Sequence, residues 1–536
     1  MENNEKKILR SKKIFTGTSE KLLDGFVVLE GKRIKAVELQ SALQNYKLDE
    51  YSFHDYGDCT IMPAFHDAHV HLVIGALVES GGFLRDATSE EDAVSKLCAL
   101  YANKKDAKWI VGGAWDHFKW PGHKLPTKKS LDAFFPDKPV FLMNKECHGA
   151  WVNSKTLEYF GITKDTPDPH FGEIFRDENG EPTGYLLEMA SVDVLKKILA
   201  EMPKDVLGGY VSEFTKRAYS LGITSVSEMQ YCGVISYDVF DMMNTANNLN
   251  TRVHFTVPIT RTTEEILSLR EKYSGERLRF SGVKDFVDGT PLGYTGLMIE
   301  PYSDMPNSKG HIAIDIDFLR ERVIELDNQG IRIRLHACGD MAVRVCLDCF
   351  EAARKKNGNK GTRHTIEHIE VCNPVDVPRF AELDVIASVQ ADHMPKYDFE
   401  NHPFHRILGK ERMEHIWPFG SLLKSGAMLG FGTDYPVAEL TPFRGLYRAV
   451  TRMTDEQKPE GGYTPSEKIT LFDALRANTY GAAFVNEREN DMGTLAPGKY
   501  ADIAILSNDI FAVEPVEIKN TEVIATIMDG DFVFER

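Results

Sequence analysis

Regular alternation between helix-like and strand-like segments is the feature of this 536-residue chain that most restricts its fold. From about residue 206 onward, amphipathic helical stretches alternate with seven short runs rich in β-branched residues, from ITSVSEM to AMLGFGTD. The apolar run TIMPAFHDAHVHL near residue 65 supplies an earlier strand, and LFDALRANTYGAAF supplies a helix after the last one. This alternation is typical of βα units around a parallel sheet. Eight units predict an α/β fold of the TIM (β/α)8 barrel type, whose active site lies at the carboxyl ends of the strands.

Three regions lie outside this alternation. Residues 1–60 and 485–536 contain strand patterns such as DGFVVLEGKRIKAVE and VIATIMDGDFVFE, and we predict that both chain ends together form a small β-sandwich domain. The barrel domain is expected over residues 61–484. Residues from about 75 to 205 are too many for an ordinary βα loop, so they are predicted to form a large insertion subdomain after the first strand.

Charge and composition restrict the class of partner. The chain has 63 basic and 80 acidic residues, a net charge of −17, which disfavours nucleic acids and anionic membranes. It contains no run of about 18 apolar residues and no signal-peptide pattern, so we expect a cytoplasmic protein. The cysteines are scattered, and Cys346 and Cys349 are expected to share one turn of a helix rather than to bind zinc.

Residue types that bind metal ions recur where the predicted barrel strands end. His69 and His71 end the first strand, and further strands end at His336, His368 and Asp434. Each of these side chains alone is common in a packed core or a turn, but the carboxyl ends of barrel strands meet at one face. Lys284 lies inside the apolar run FSGVKDFV, where a lysine is costly unless it is paired, modified or used. The sequence therefore predicts a metal centre at this face.

The same motifs resemble the amidohydrolase superfamily, and within it the amidohydrolase-3 or YtcJ-like branch, which includes N-substituted formamide deformylases. The resemblance covers nearly the whole chain and rests on PAFHDAHVHL, GGAWDHFKW, VKDFVDGTPLGYTG, LHACGDMAV, RHTIEHIE, FGTDYPV and GTLAPGKYADIAIL, in that order. It implies a TIM barrel that carries the metal site and a small β-sandwich made by the chain ends. It also implies one or two divalent metal ions, with zinc as the expected metal.

The resemblance assigns roles to the strand-end residues. His69, His71 and Asp434 are expected to bind the first metal ion, and His336 and His368 the second. Lys284 stands where binuclear members have a carboxylated lysine that bridges both ions. A site with one ion and an unmodified Lys284 is the alternative. Glu367 alternates with His368 along its strand and is expected to point away from the metals.

The expected reaction is hydrolysis of a carbon–nitrogen bond in a small molecule, a non-peptide amide or an N-acyl or N-formyl amine, by a metal-bound hydroxide. Asp434 is the expected catalytic residue, which takes a proton from water and passes it to the leaving amine. An ester or lactone hydrolase, a deaminase on the same site, and a non-catalytic scaffold are the alternatives.

The insertion is predicted to cover the mouth of the barrel and to contact the substrate. The candidate contacts are Trp115, Asp116, His117, Trp120 and His148. Aromatic side chains suit an apolar substituent of the substrate. The alternative is that the tryptophans form the insertion's own core. A homodimer is the candidate assembly.

Overall fold

The computed structural model describes residues 5–102, 107–230, 233 and 237–536. Its centre is a sheet of eight parallel strands that follow one another in chain order, which we number β1 to β8. They are β1 (Phe65–Val70), β2 (Ile223–Glu228), β3 (Arg252–Pro258), β4 (Leu278–Phe286), β5 (Ile333–Ala337), β6 (Thr365–His368), β7 (Ile386–Val389) and β8 (Leu429–Phe431). The predicted α/β barrel of eight strands is confirmed.

A helix precedes each strand from β2 to β8, as the alternation predicts. These helices are Lys204–Ser220, Asp238–Thr245, Thr263–Lys272, Ile316–Asn328, Asp340–Asn357, Val377–Glu382 and Phe419–Ser425. Helix Leu72–Gly82 follows β1, and helix Pro403–Arg412 lies in the connection after β7. The helices that follow β8 include Pro442–Thr451, Leu471–Arg476, Ala477–Gly481 and Ala482–Val485. Their apolar faces and both faces of the strands form one continuous core.

The barrel closes between β1 and β8, just beyond the last residue of each strand. The Asp434 amide donates a hydrogen bond to the His69 carbonyl (2.7 Å), and the His71 amide donates to the Tyr435 carbonyl (2.8 Å). A parallel bridge pairs Val70 with Tyr435. Closure of the barrel therefore brings the carboxyl ends of its first and last strands together.

The two chain ends form one mixed sheet of eight strands outside the barrel. Its strands are Lys6–Ile14, Leu23–Glu30, Arg33–Leu39, Ser52–Asp55, Thr60–Pro63, Ile503–Leu506, Val523–Met528 and Asp531–Glu535. Side chains alternate between its faces, so Ile8 packs on one side of the sheet and Leu9 on the other. A buried ion pair from Arg252 of β3 to Asp502 (Nε to Oδ2, 2.9 Å) ties this sheet to the barrel.

The insertion after β1 has a five-stranded sheet of its own. Its strands are Ile110–Trp115, Val140–Asn144, Gly149–Val152, Gly172–Arg176 and Pro182–Glu188, and its helices are Glu90–Tyr101, Lys128–Asp132, Ser154–Phe160 and Met189–Glu201. The first two strands are parallel and the remaining pairs are antiparallel. A separate cluster of buried apolar residues lies between this sheet and its helices. Among the described residues, no helix is long and apolar enough to cross a membrane.

Candidate metal centre

Three histidines surround the carboxylate of Asp434 at the carboxyl face of the barrel. His69 Nε2 lies 3.3 Å and His71 Nε2 3.2 Å from Asp434 Oδ1, and His368 Nδ1 lies 3.9 Å from Asp434 Oδ2. All four side chains are buried. The structure thus brings together ligand types from β1, β6 and β8 that are separated by up to 365 residues, the difference between positions 434 and 69.

Two of these residues have backbone angles that side chains rarely adopt. The φ angle is +75° at His368 and +56° at Asp434, both in the left-handed region. Such conformations cost about 1–3 kcal/mol each and cluster at functional sites, where the surrounding structure holds them in place. At Asp434 the holding contact is the amide hydrogen bond to the His69 carbonyl.

A second group of donors adjoins the first and shares His368 with it. The ring centres of His336 and His368 are 4.3 Å apart, and Cys338 Sγ lies 3.3 Å from His336 Nε2. One donor atom from each of these three residues lies close enough to hold a single ion. Lys284 is buried on neighbouring β4, with Nζ 3.0 Å from the centre of the Phe286 ring, which in turn contacts the His336 ring. His69, His71 and His368 therefore surround Asp434. His336 lies beside His368, and Lys284 lies beside His336.

Protonation in this cluster suits cation binding. Burial lowers the pKa of His69 and holds the pKa values of His336 and His368 well below the ordinary value. Burial opposes ionisation of Asp434, but His69 and His71 outweigh it and hold the pKa of that carboxyl well below its usual range. Neutral imidazoles and an ionised carboxylate are the forms that bind metal ions.

Hydrogen-bond geometry at the cluster also fits a cation. Among the residues that the structure describes, His69 Nε2 and Asp434 Oδ1 are buried and lie 3.3 Å apart, yet neither atom makes a hydrogen bond of good geometry. In two of the predicted ligand histidines, one ring nitrogen donates a hydrogen bond to a backbone carbonyl. His71 Nδ1 donates to the Met229 carbonyl (3.1 Å), and His336 Nε2 donates to the Gly289 carbonyl (3.1 Å). Such bonds fix the tautomer and leave the other nitrogen free to bind a metal.

Glu367 belongs to this centre, and the expectation that it points away is wrong. Its Oε2 lies 2.8 Å from His69 Nδ1, and its Oε1 accepts a hydrogen bond from Arg334 Nε (2.6 Å). The expectation assumed regular strand alternation, which ends at His368 because of its positive φ. Burial opposes the charge of Glu367, but Arg334 and His69 lower its pKa to about 2. Glu367 therefore holds His69 as an ionised partner.

We expect Glu367→Gln to weaken metal binding by about 10- to 100-fold, the usual effect of removing a carboxylate behind a ligand histidine. The amide is nearly isosteric but cannot supply the negative charge that His69 and Arg334 face. Competition with a chelator of known affinity measures the change. Glu351→Gln, which alters an ion-paired glutamate on a surface helix, is the control. Unchanged metal affinity in Glu367→Gln would exclude this role.

His393 is a further member of the site that the sequence reasoning did not select. Its Nε2 lies 3.5 Å from Asp434 Oδ2, its Nδ1 lies 3.6 Å from Glu370 Oε1, and its ring stacks on His368. The sequence could have indicated His393, because it follows β7 closely and the rule that selects His336 and His368 at strand ends applies to it as well.

A cavity of about 90 Å³ opens above the metal centre and is lined from two sides. The barrel contributes His336, His368 and Asp434, and the insertion contributes Lys145 and His148. The predicted insertion therefore reaches the mouth of the barrel. His148 Nδ1 bonds to Glu188 Oε2 (2.9 Å), and this carboxylate overcomes the effect of burial and raises the pKa of His148 to about 9.

The other predicted substrate contacts separate into two groups. Trp115, Asp116 and His117 line an adjoining cavity of about 80 Å³, which shares Lys145 with the first. Trp120 is buried against Trp115 in the core of the insertion, where its indole N–H donates to the Ala87 carbonyl (3.0 Å). The structure places Trp120 in that core rather than in a cavity wall, as the alternative interpretation of the tryptophans anticipates.

The chain is similar to known proteins along most of its length. A family model described as "Amidohydrolase family" matches residues 54–534. Protein LONG AFTER FAR-RED 3 of Arabidopsis thaliana is 32% identical over 483 residues, which cover 88% of this chain and 81% of the relative. The putative amidohydrolase YtcJ of Bacillus subtilis is 27% identical (95% and 97% covered), and the N-substituted formamide deformylase of Arthrobacter pascens is 25% identical (95% of each).

Solved structures show the same architecture. The chain is similar to an uncharacterized metal-dependent hydrolase from Pyrococcus horikoshii OT3, with a TM-score of 0.75, 26% identity, and 99% of this chain and 100% of that chain covered. A second uncharacterized metal-dependent hydrolase, from Pyrococcus furiosus, has a TM-score of 0.73 and 27% identity, with 95% and 100% covered.

Proposed function

Since the chain belongs to the amidohydrolase family, we propose that it is a hydrolase of a non-peptide carbon–nitrogen bond, in an N-acyl or N-formyl amine. The observation that carries this proposal is the buried carboxylate of Asp434, enclosed by His69, His71 and His368 at the base of a cavity that the barrel and the insertion line together. The similarity to a formamide deformylase along 95% of both chains supports the choice of bond.

The donor set fits a borderline metal such as zinc, because imidazole nitrogens and carboxylate oxygens are its usual ligands. His69, His71 and Asp434 are the residues that would hold one ion, and His336 and His368 a second, and a carboxylated Lys284 would add oxygen ligands. When bound, such ions supply a water molecule of lowered pKa and a positive charge beside the carbonyl oxygen of the substrate.

The chain's own groups then handle the protons. The Asp434 carboxylate accepts a proton from water as the oxygen bonds to the carbonyl carbon, and returns it to the amine nitrogen as the carbon–nitrogen bond breaks. Glu367 keeps His69 oriented through Nδ1. His148, charged by its pairing with Glu188, lines the cavity and can donate a hydrogen bond to a polar group of the substrate.

Metal analysis and a substrate screen test the proposal together. Protein purified without chelator is analysed for zinc and other divalent metals per chain, and two ions, one ion or none correspond to the binuclear, mononuclear and scaffold alternatives. The metal-loaded protein is then tested on N-acyl and N-formyl amines, hydantoins, esters and aminopurines. Release of amine from the first group supports the proposal; turnover of esters or aminopurines alone, or of nothing, would reject it.

A cysteine variant is the control for the metal analysis. Cys346 and Cys349 are buried in helix Asp340–Asn357 and belong to neither of the two donor groups described above, so Cys346→Ser is expected to retain the metal content. Cytoplasmic location and a homodimeric assembly stay predictions.

A further inference from the structure

Two lysines line the cavity above the metal centre together with its histidines. Lys145 follows a strand of the insertion, Val140–Asn144, and Lys396 lies in the connection after β7. Both side chains are largely buried, with 24% and 12% of their surface exposed. A lysine is rarely buried unless its ammonium group is paired or used, so these two groups require an explanation.

Each ammonium group is held in place by a buried carboxylate. Lys145 Nζ lies 3.2 Å from Asp116 Oδ2, and Lys396 Nζ lies 2.7 Å from Asp392 Oδ2. Asp116 also accepts a hydrogen bond from the Tyr397 hydroxyl (3.1 Å). An ammonium carries three N–H donors, and one carboxylate contact does not exhaust them. The two lysines are thus fixed donors in the cavity wall rather than mobile surface chains.

Several cations lie near Lys396. Its partner Asp392 also faces Arg448 (2.8 Å) and Arg444 (3.6 Å), which in turn pair with Asp455 (2.7 and 2.6 Å). Arg85 adds a guanidinium that donates to the Pro436 and Val437 carbonyls. Burial and the positive charges of Lys145 and Arg85 lower the pKa of Lys396 to about 7. A bound anion would relieve this repulsion.

We propose that Lys145 and Lys396 bind a carboxylate of the substrate, so that the preferred substrates are N-acyl or N-formyl compounds that carry a carboxylate, as amino acid derivatives do. This inference rests on the proposed function, because the amide has to lie at the metal centre while the carboxylate lies at the lysines. The same cavity is lined in part by apolar side chains, Leu292 and Phe404 among them, which suit a hydrocarbon linker. Glu146 is the acidic side chain beside Lys145 that would oppose an anion.

A pair of substrates that differ only in the carboxylate tests the proposal on the metal-loaded enzyme. N-formylphenylalanine carries the carboxylate, and N-formylphenethylamine lacks it. We expect kcat/KM to be about 10- to 100-fold higher for the anion, the range for hydrogen bonds to charged groups. Lys145→Gln and Lys396→Gln should each lower this ratio about tenfold, and Glu146→Gln should raise it.

Two further variants distinguish loss of the lysine charge from an effect of the substitution on folding. Lys396→Arg retains the charge beside Asp392 and should retain more of the preference than Lys396→Gln. Lys96→Gln removes an ion-paired lysine on the surface of the same insertion and should leave the ratio unchanged. A preference for the neutral substrate, or an equal ratio in the glutamine variants and the wild type, would overturn the proposal.

Binding measurements separate this inference from the proposed hydrolysis. Calorimetry with the metal-loaded protein compares 3-phenylpropionate with 3-phenyl-1-propanol, neither of which is a substrate for amide hydrolysis. Tighter binding of the carboxylate that is lost in both glutamine variants supports the lysine site even if no amide is cleaved. Binding of 3-phenylpropionate that survives both substitutions would place the carboxylate on the metal, and absence of binding in the wild type would likewise reject the site.

Discussion

Replacing Asp434 by asparagine is expected to reduce kcat by about 1,000-fold or more, since loss of a general acid–base group typically removes a factor of about 10²–10⁴ and this residue is also a metal ligand. The amide cannot accept a proton from water, and it replaces the negative charge that faces His69 and His71. His69→Ala and His71→Ala are expected to abolish hydrolysis through loss of the metal. Steady-state kinetics and metal content per chain are measured on the same preparations.

The fold should survive these substitutions because the residues lie at the ends of strands and not among the packed apolar layers of the barrel. Circular dichroism and the temperature of thermal unfolding check this. His415→Ala, which changes a histidine in the segment before β8 that lies outside the metal centre, is the control and should keep its turnover. Near-wild-type turnover in any of the three variants at the centre would refute the assignment of the site.

Replacing Lys284 by alanine is expected to remove one of two bound ions and to lower turnover by about 100-fold or more. An effect of this size is typical when a group that stabilises charge is lost from a site that excludes water. An ammonium group repels metal cations, whereas its carbamate is an anion with two oxygens that can bridge them. The amine nitrogen bonds to the carbon of carbon dioxide and loses a proton, so no oxidant or cofactor is needed. Lys284 is buried beside His336 on neighbouring strands, where the proposed bridge would lie.

The carbamate itself can be observed. Metal-loaded protein prepared with ¹³C-bicarbonate should show a carbamate carbon in its NMR spectrum, and Lys284→Ala should lack it. Short-chain carboxylic acids are expected to restore part of the variant's activity by replacing the missing oxygens. Lys272→Ala, at an exposed lysine that ends the barrel helix Thr263–Lys272, is the control. A Lys284→Ala protein with two tightly bound ions and unchanged turnover would eliminate the bridging role.

Several parts of this structure follow from the sequence alone. The period of the apolar residues distinguishes helices from strands locally, and eight βα units in succession leave a parallel barrel as the economical way to bury both faces of the strands. His69, His336 and Asp434 could be selected because the rule that ligands cluster at the carboxyl ends of barrel strands needs only the end of each strand. No contact between distant residues enters that reasoning.

The tertiary structure decided what depends on the direction of a side chain or on its distant neighbours. Glu367 reaches His69 from a regular strand position, and His368 also faces the centre because its own backbone leaves the extended conformation, which periodicity cannot reveal. His393 reaches Asp434 through a turn beyond its strand.

Contacts between segments far apart in the sequence also determine which residues line the cavity. Lys145 and Lys396 lie 251 positions apart, the difference between 396 and 145, and line one cavity only because the insertion covers the barrel. Trp120 lies in a core because it also contacts Trp151 and donates to the Ala87 carbonyl, which belong to other segments of the insertion. A sequence records the residue types available for a site, but their mutual distances and directions arise from packing of elements far apart along the chain.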